Sequence, residues 1–119
     1  MSNDITRSRI PSSVNEQIHR VRRQYRSALL SVGKSPDYHI FDLSTEFLEN
    51  LKDSKAKRFL MNLKVYFAGL DCKSQEIFVL DILEMGRHYP FWYLDTYTRR
   101  NYEEKLRSVI AEVPECLKR

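Results

Sequence analysis

The chain has 119 residues, of which 42% are hydrophobic and 30% are charged, a balance typical of a globular protein rather than a disordered or membrane-spanning one. No apolar stretch approaches the roughly 18 residues that a membrane helix needs, and the N-terminus lacks the apolar core of a signal peptide. The two cysteines, Cys72 and Cys116, are typical of a reducing compartment, although a disulfide between them stays open. We therefore expect a flexible N-terminus over residues 1–11, a single helical domain over residues 12–119, and a cytoplasmic location.

The formal net charge of +4 is distributed unevenly along the chain. Residues 1–34 hold seven Lys/Arg against two Asp/Glu, a difference of +5. Residues 35–70 hold five of each, and residues 71–119 hold eight against nine, a difference of −1. The basic excess therefore belongs to the N-terminal third, and the overall charge alone does not predict nucleic-acid binding.

The first half of the chain predicts three helices. Ser12 or Ser13 caps a helix that Gly33 ends, with one apolar stripe at a spacing of three and four residues. "IFDLSTEFLENLKD" predicts a second, shorter helix over residues 40–53, although its first residues could be extended. Ser54 caps a third helix. The predicted inward residues are Val14, Ile18, Val21, Tyr25, Ala28, Leu29 and Val32, then Phe47, Leu48 and Leu51, then Phe59, Leu60, Leu63, Tyr66, Phe67 and Leu70.

The second half predicts three further helices. Asp71 is a good N-cap for a helix that stops at Gly86, Pro90 suits the first turn of a short helix in "PFWYLDTY", and Thr98 caps a last helix that runs until Pro114. The predicted buried residues are Ile77, Phe78, Leu80 and Ile82 or Leu83, then Leu106, Val109, Ile110 and Val113.

These patterns predict an all-α fold of five to six helices with a C-terminal helix-turn-helix in residues 71–113. Its parts are a supporting helix (72–85), a short helix (90–96), a turn, and a longer helix that begins at Thr98. In such modules the first turn of the last helix enters the major groove of DNA. Arg99, Arg100 and Asn101 project from that turn in this chain.

Catalysis finds little support in the sequence. The three histidines, His19, His39 and His88, lie far apart and have no cysteine at ligand spacing. Glu103 and Glu104 are adjacent and point in different directions on a helix, so they do not form an acid/base pair. Glycine-rich phosphate loops and nucleophile elbows are absent from the sequence. We expect no enzymatic activity, no cofactor, no metal and no small-molecule substrate.

Three further groups of residues bear on function, and both the arginines of helix 1 and an aromatic cluster allow more than one interpretation. Helix 1 carries four arginines within seven residues. Three interpretations of these arginines stay open: they bind nucleic acid, they form ion pairs with an acidic stripe on helix 2, or they are simply solvated. The aromatic cluster near the short helix favours core packing over base stacking. The groups are Arg20, Arg22, Arg23 and Arg26; Asp42, Glu46, Glu49 and Asp53; and Tyr89, Phe91, Trp92, Tyr93 and Tyr97.

The segment "LDCKSQEIFVLDILEMGRHYPFWYLDTYTRRNYEEKLRSVIAEV" resembles the C-terminal module of sigma factors (region 4). It is more similar to small phage-type late-gene regulators and to the short sigma-like proteins of mollicutes. In these a leucine, an acid and a glutamine open the supporting helix, a Trp-rich short helix follows, and "Y-S-[RK]-S-T-Y-Y-R" leads into a basic helix. The matching residues here are Leu70, Asp71 and Gln75, then Trp92, then Tyr97, Thr98, Arg99, Tyr102 and the run 105–111.

This chain departs from the family pattern at the start of the last helix. Arg100 and Asn101 replace the expected Ser-Thr, and Glu103 and Glu104 stand where tyrosine and arginine usually face DNA. Carboxylates near phosphates are repulsive, and the −1 balance of residues 71–119 is unfavourable for binding that depends on phosphate neutralisation. The resemblance therefore supports the fold more strongly than it supports DNA binding.

The sequence predicts a small, non-catalytic, sigma-like transcription regulator. The predicted partner is DNA, RNA polymerase is a further candidate partner, and no membrane partner is expected. Thr98 caps the recognition helix, and the residues predicted to contact or attract DNA are Arg99, Arg100, Asn101, Lys105, Arg107, Arg20, Arg22, Arg23 and Arg26. The alternative is a helical protein-interaction module that docks on RNA polymerase or another regulator without binding DNA.

Overall fold

The computed structural model describes residues 12–84 and 97–118, and every regular element within these residues is helical. The prediction of an all-α fold is therefore confirmed. The helices are α1 (Ser12–Ser31), α2 (Thr45–Glu49), α3 (Lys55–Ala68), α4 (Cys72–Ile77), α5 (Arg99–Glu112) and α6 (Glu115–Lys118), with a 3₁₀ turn at Ile40–Asp42 and a π-helical segment at Phe78–Leu83. The flexible N-terminus, the stop at Gly86 and the short helix at 90–96 are predictions that lie outside the described residues.

α1 ends at the glycine that the sequence indicates. Gly33 has a φ of 84°, a left-handed conformation that glycine adopts without steric cost. Its N–H donates to the carbonyl of Leu30 at 3.1 Å, and the N–H of Lys34 donates to the carbonyl of Leu29 at 2.9 Å. These two bonds form a Schellman motif. The apolar stripe of α1 faces the core as predicted, with its central residues fully buried and Val14 and Val32 half-buried at its ends.

The prediction of one helix over residues 40–53 is wrong. The backbone of Ser44 is extended, and its hydroxyl accepts a hydrogen bond from the N–H of Phe47 at 3.1 Å, so α2 begins only after this serine. Before it, Nδ1 of His39 accepts from the N–H of Phe41 at 3.2 Å and starts the 3₁₀ turn. Both side chains bond to nearby backbone in place of continuous helical bonds, which divides the segment.

The predicted caps of α3 and α4 are confirmed. The Ser54 hydroxyl accepts from the N–H of Lys57 at 3.1 Å, and a carboxylate oxygen of Asp71 accepts from the N–H of Ser74 at 2.7 Å. The bond from the backbone of Ser74 is the main reason why the pKa of Asp71 lies below its usual value. α3 and α4 therefore start where local side-chain chemistry can satisfy their first N–H groups.

The π-helical segment changes which residues of the supporting helix face the core. The N–H of Glu84 donates to the carbonyl of Val79 at 2.9 Å, the i to i+5 bond of a π turn. The wider turn lets three consecutive residues face inward, so Val79 is buried and Leu80, which the pattern places in the core, is only partly buried. The buried set is Ile77, Phe78, Val79, Ile82 and Leu83.

α1 lies at the centre of the packing and contacts α3, the π-helical segment, α5 and α6. The Tyr66 hydroxyl of α3 donates to the carbonyl of Val109 in α5 at 2.7 Å, and burial raises the pKa of this tyrosine to about 12. The chain forms one more helix after Pro114 that the apolar pattern does not predict, α6, whose Leu117 is fully buried. α6 packs on both α1 and α3.

Candidate nucleic-acid interface

The start of α5 is fixed by its predicted cap. Thr98 has an extended backbone, and its hydroxyl accepts a hydrogen bond from the N–H of Asn101 at 3.1 Å. The carbonyl of Thr98 also accepts from the N–H of Tyr102 at 2.9 Å. The inward residues Leu106, Val109 and Ile110 are buried as predicted. The first turn therefore has a defined direction relative to the core.

A polar network holds α5 from behind. The hydroxyl of buried Tyr102 donates to a carboxylate oxygen of Asp81 at 2.6 Å. The backbone carbonyl of Asp81 accepts from the guanidinium of Arg22 at 3.4 Å, and the carbonyl of Ile82 accepts from Nε of Arg22 at 2.9 Å. α1, the π-helical segment and α5 are thereby joined through hydrogen bonds between residues far apart in the sequence.

The four residues at the start of α5 share one property. Thr98, Arg99, Arg100 and Asn101 are all exposed. Arg99 is not fully available to a ligand, because its Nε lies 3.5 Å from a carboxylate oxygen of Glu103. The turn therefore presents one arginine that is oriented by a carboxylate and, beside it, Arg100 and Asn101.

The two glutamates of α5 have different environments. The side chain of Glu103 is only 5% exposed and points toward Arg99 and the protein, so it does not take the outward orientation that the resemblance implies for this position. Glu104 is exposed. Since neighbouring helix positions point about 100° apart, burying one of the pair turns the other outward. Of the two glutamates, Glu104 is therefore the one that could repel phosphate.

Lys105 and Arg107 also differ. Nζ of Lys105 lies 3.7 Å from a carboxylate oxygen of Asp71, so this lysine ties α5 to the cap of α4. Arg107 is exposed. It lies seven residues after Arg100, which is two helical turns and about 10 Å along the same face of α5. Arg100 and Arg107 therefore form the cationic part of the outward stripe, with Glu104 between them.

The arginines of α1 do not form one exposed set. Arg22, which is predicted to attract DNA, is instead half-buried and bonded inside the protein, and burial, followed by the charge of Arg26, lowers its pKa. Arg20 lies 3.9 Å from Glu16 and Arg26 lies 3.8 Å from Asp37. Both carboxylates lie outside the acidic stripe. Arg23 is exposed and has no ion pair within the described residues.

Tyr97 is the one member of the aromatic cluster within the described residues. It is half-buried and packs against the core, with its ring centroid 6.4 Å from that of Tyr102. Nζ of Lys73 lies 5.8 Å from the centroid of the same ring. These contacts agree with core packing at this position. The remaining members, Tyr89, Phe91, Trp92 and Tyr93, lie outside the described residues.

Cys72 and Cys116 are both exposed and carry free thiols. Within residues 12–84 and 97–118, no three histidine, cysteine, aspartate or glutamate side chains lie close enough together to hold a metal ion. None of the helices in the same residues is both long and apolar enough to cross a membrane. Comparison of the chain with protein-family models, curated proteins and solved structures finds no match.

Proposed function

We propose that the chain is a small, non-catalytic, sigma-like transcription regulator that binds DNA through the first turn of α5. The observation that carries the proposal is the exposed, side-chain-capped start of a helix whose opposite face is anchored in the core. A helix N-terminus of this kind offers both a favourable dipole and outward side chains to the major groove. The likeness of residues 70–113 to sigma region 4 modules supports the same docking.

Each residue of the turn has a distinct proposed role. Arg100 and Asn101 contact base edges or the nearest phosphates, and Arg107 contacts the backbone two turns later. Arg99 contributes from the position in which Glu103 holds it. From α1, Arg23 adds electrostatic attraction, whereas Arg22 acts by supporting α5 from inside.

A protein-interaction module without DNA binding is the second candidate. It is favoured by Phe41, which is 59% exposed although its ring stacks on His39 at 5.0 Å and contacts Phe67 at 5.2 Å. Large exposed aromatic side chains are enriched at protein interfaces. Glu104, on the outward stripe of α5, also suits a protein partner better than phosphate.

DNA binding is tested by measuring the affinity of the purified protein for duplex DNA across a series of salt concentrations. We expect log K to fall linearly with log salt, and Arg100→Ala and Arg107→Ala each to reduce the slope by about one. Lys52→Ala is the matched control, because it removes one exposed positive charge from the loop before α3. If the wild-type protein shows no salt-dependent binding at low ionic strength, the interaction-module function replaces this one.

A further inference from the structure

A cleft of about 730 Å³ lies between α1, α3 and α6, away from the first turn of α5. Its floor is apolar and consists of the buried side chains Ala28, Phe59 and Leu117, one from each helix. Small-molecule sites are concave, largely apolar and about 300–1,000 Å³ in volume. The cleft therefore has the size and the floor of a small-molecule site.

Three cationic side chains line the cleft, namely Arg23 from α1 and Lys55 and Arg58 from α3. Arg58 is held by Asp53, whose two carboxylate oxygens lie 3.0 and 3.1 Å from one guanidinium nitrogen. Arg23 and Lys55 are exposed and form no ion pair within the described residues. Two cations are thus left without a carboxylate at the edge of an apolar floor, which favours an anionic ligand.

Neutral polar groups complete the lining. Ser27 and Asn62 are exposed side chains at the cleft. They add hydrogen-bond donors and acceptors to the lining. A ligand of this cleft would therefore carry hydrogen-bonding groups as well as a negative charge.

The cleft is separate from the proposed DNA-binding turn. α5 has 14 residues and is therefore about 21 Å long. Arg99 and Arg100 are at its N-terminal end, whereas Cys116 and Leu117, which line the cleft, follow its C-terminal end. The cleft and the proposed DNA-binding surface share Arg23, but the turn of α5 itself takes no part in the cleft.

We propose that this cleft binds a nucleoside phosphate. Its phosphate lies between Arg23 and Lys55, its base packs on the floor around Phe59, and its polar atoms bond to Ser27 and Asn62. This ligand combines the negative charge, the flat apolar body and the hydrogen-bonding groups that the lining requires. A mononucleotide has the size of this cleft, whereas a duplex carries its phosphates along a much longer surface.

The two cysteines provide the test. Cys116 lines the cleft, Cys72 lies at the start of α4, and both thiols are exposed. We expect AMP, GMP, CMP or UMP to slow alkylation of Cys116 by uncharged iodoacetamide about tenfold at about ten times the Kd. The alkylation rate of Cys72 stays unchanged in the same sample. Peptide mass spectrometry measures both rates in the full chain.

Arg23→Ala and Lys55→Ala should each weaken this protection, whereas Lys73→Ala, which removes the same charge on α4, should leave it intact. Nucleosides without phosphate, and inorganic phosphate without a nucleoside, should protect Cys116 less than the nucleotide does. The proposal is overturned if none of the four nucleotides protects Cys116, or if Cys116 and Cys72 are slowed equally. It is also overturned if only an acidic peptide or duplex DNA protects Cys116.

Discussion

The basic face of α1 and the first turn of α5 differ in how their charge is used. Residues 20–26 carry four arginines, but one of them bonds to backbone carbonyls inside the protein and two lie beside carboxylates. The first turn of α5 has only two arginines, and Arg100 among them is exposed. The number of arginines in a segment therefore does not measure the charge that a ligand can reach, because folding can direct a guanidinium inward.

Replacement of Arg22 has the largest expected effect on the free energy of unfolding. Its guanidinium donates to the carbonyls of Asp81 and Ile82, and hydrogen bonds from charged donors contribute about 1.5–3 kcal/mol. We expect Arg22→Ala to lower the free energy of unfolding by about that amount, since it leaves both carbonyls without this donor. Urea unfolding followed by circular dichroism measures the change.

Arg23→Ala is the matched control for that measurement. Arg23 is the next residue of the same helix and has the same side chain, but it is exposed and has no ion pair within the described residues. Its replacement should change the free energy of unfolding by less than about 0.5 kcal/mol. Equal effects of the two substitutions would contradict the distinction between an internal and an external arginine on α1.

What the sequence predicts well is local. Ser54, Asp71 and Thr98 cap their helices through N–H groups three residues ahead, so each cap is visible in the sequence. The apolar pattern does not reveal the division at residues 40–53, because it continues across Ser44, although this serine is itself a good cap. The π-helical segment, which packs on α1, has no comparable local signal in the sequence.

In the candidate site, too, contacts between distant residues cannot be predicted from local sequence patterns. Arg22 bonds to a carbonyl 60 residues away, and no spacing rule connects the two positions. Burial of Glu103 rather than Glu104 depends on the rotation of α5 against the core, which the stripe of Leu106, Val109 and Ile110 indicates only approximately. Sequence reasoning therefore finds the helix start and its outward arginines, whereas the partners of individual charges require the fold.

Glu103 and Glu104 extend the comparison to negative charge. Glu103→Gln weakens the pair with Arg99, and we expect it to lower the free energy of unfolding by about 1–2 kcal/mol. Glu104→Gln should change stability by less than about 0.5 kcal/mol. If α5 binds DNA, the second substitution alone should strengthen non-specific binding, because it removes an exposed carboxylate. Thermal unfolding and a low-salt DNA titration of both variants distinguish these outcomes.

The hydroxyl cap of Thr98 makes a smaller and purely local contribution to stability. Thr98→Ala removes the hydroxyl that accepts from the N–H of Asn101, and a lost cap of this kind costs about 1 kcal/mol. Thr98→Ser keeps the hydroxyl and should retain most of the stability. Urea unfolding of the two variants tests the cap. A loss as large with serine as with alanine would show that the threonine methyl group, rather than the cap, stabilises the turn.

The smallest expected effect concerns Arg26 and Asp37, which lie 3.8 Å apart with each side chain 45% exposed. A double-mutant cycle of Arg26→Ala and Asp37→Ala should give a coupling energy at the lower end of about 0.2–1 kcal/mol, because exposed ion pairs are solvated. The coupling should vanish near 1 M salt, where screening acts over about 3 Å.

Such a result would mean that Arg26 is attracted to Asp37 only weakly, so that an approaching polyanion could bind Arg26 instead. A ligand could then reach both Arg26 and Arg23 on the basic face of α1. The difference in accessible positive charge between α1 and the first turn of α5 would be smaller. A coupling well above 1 kcal/mol that persists in high salt would instead make Arg26, like Arg22, part of the architecture.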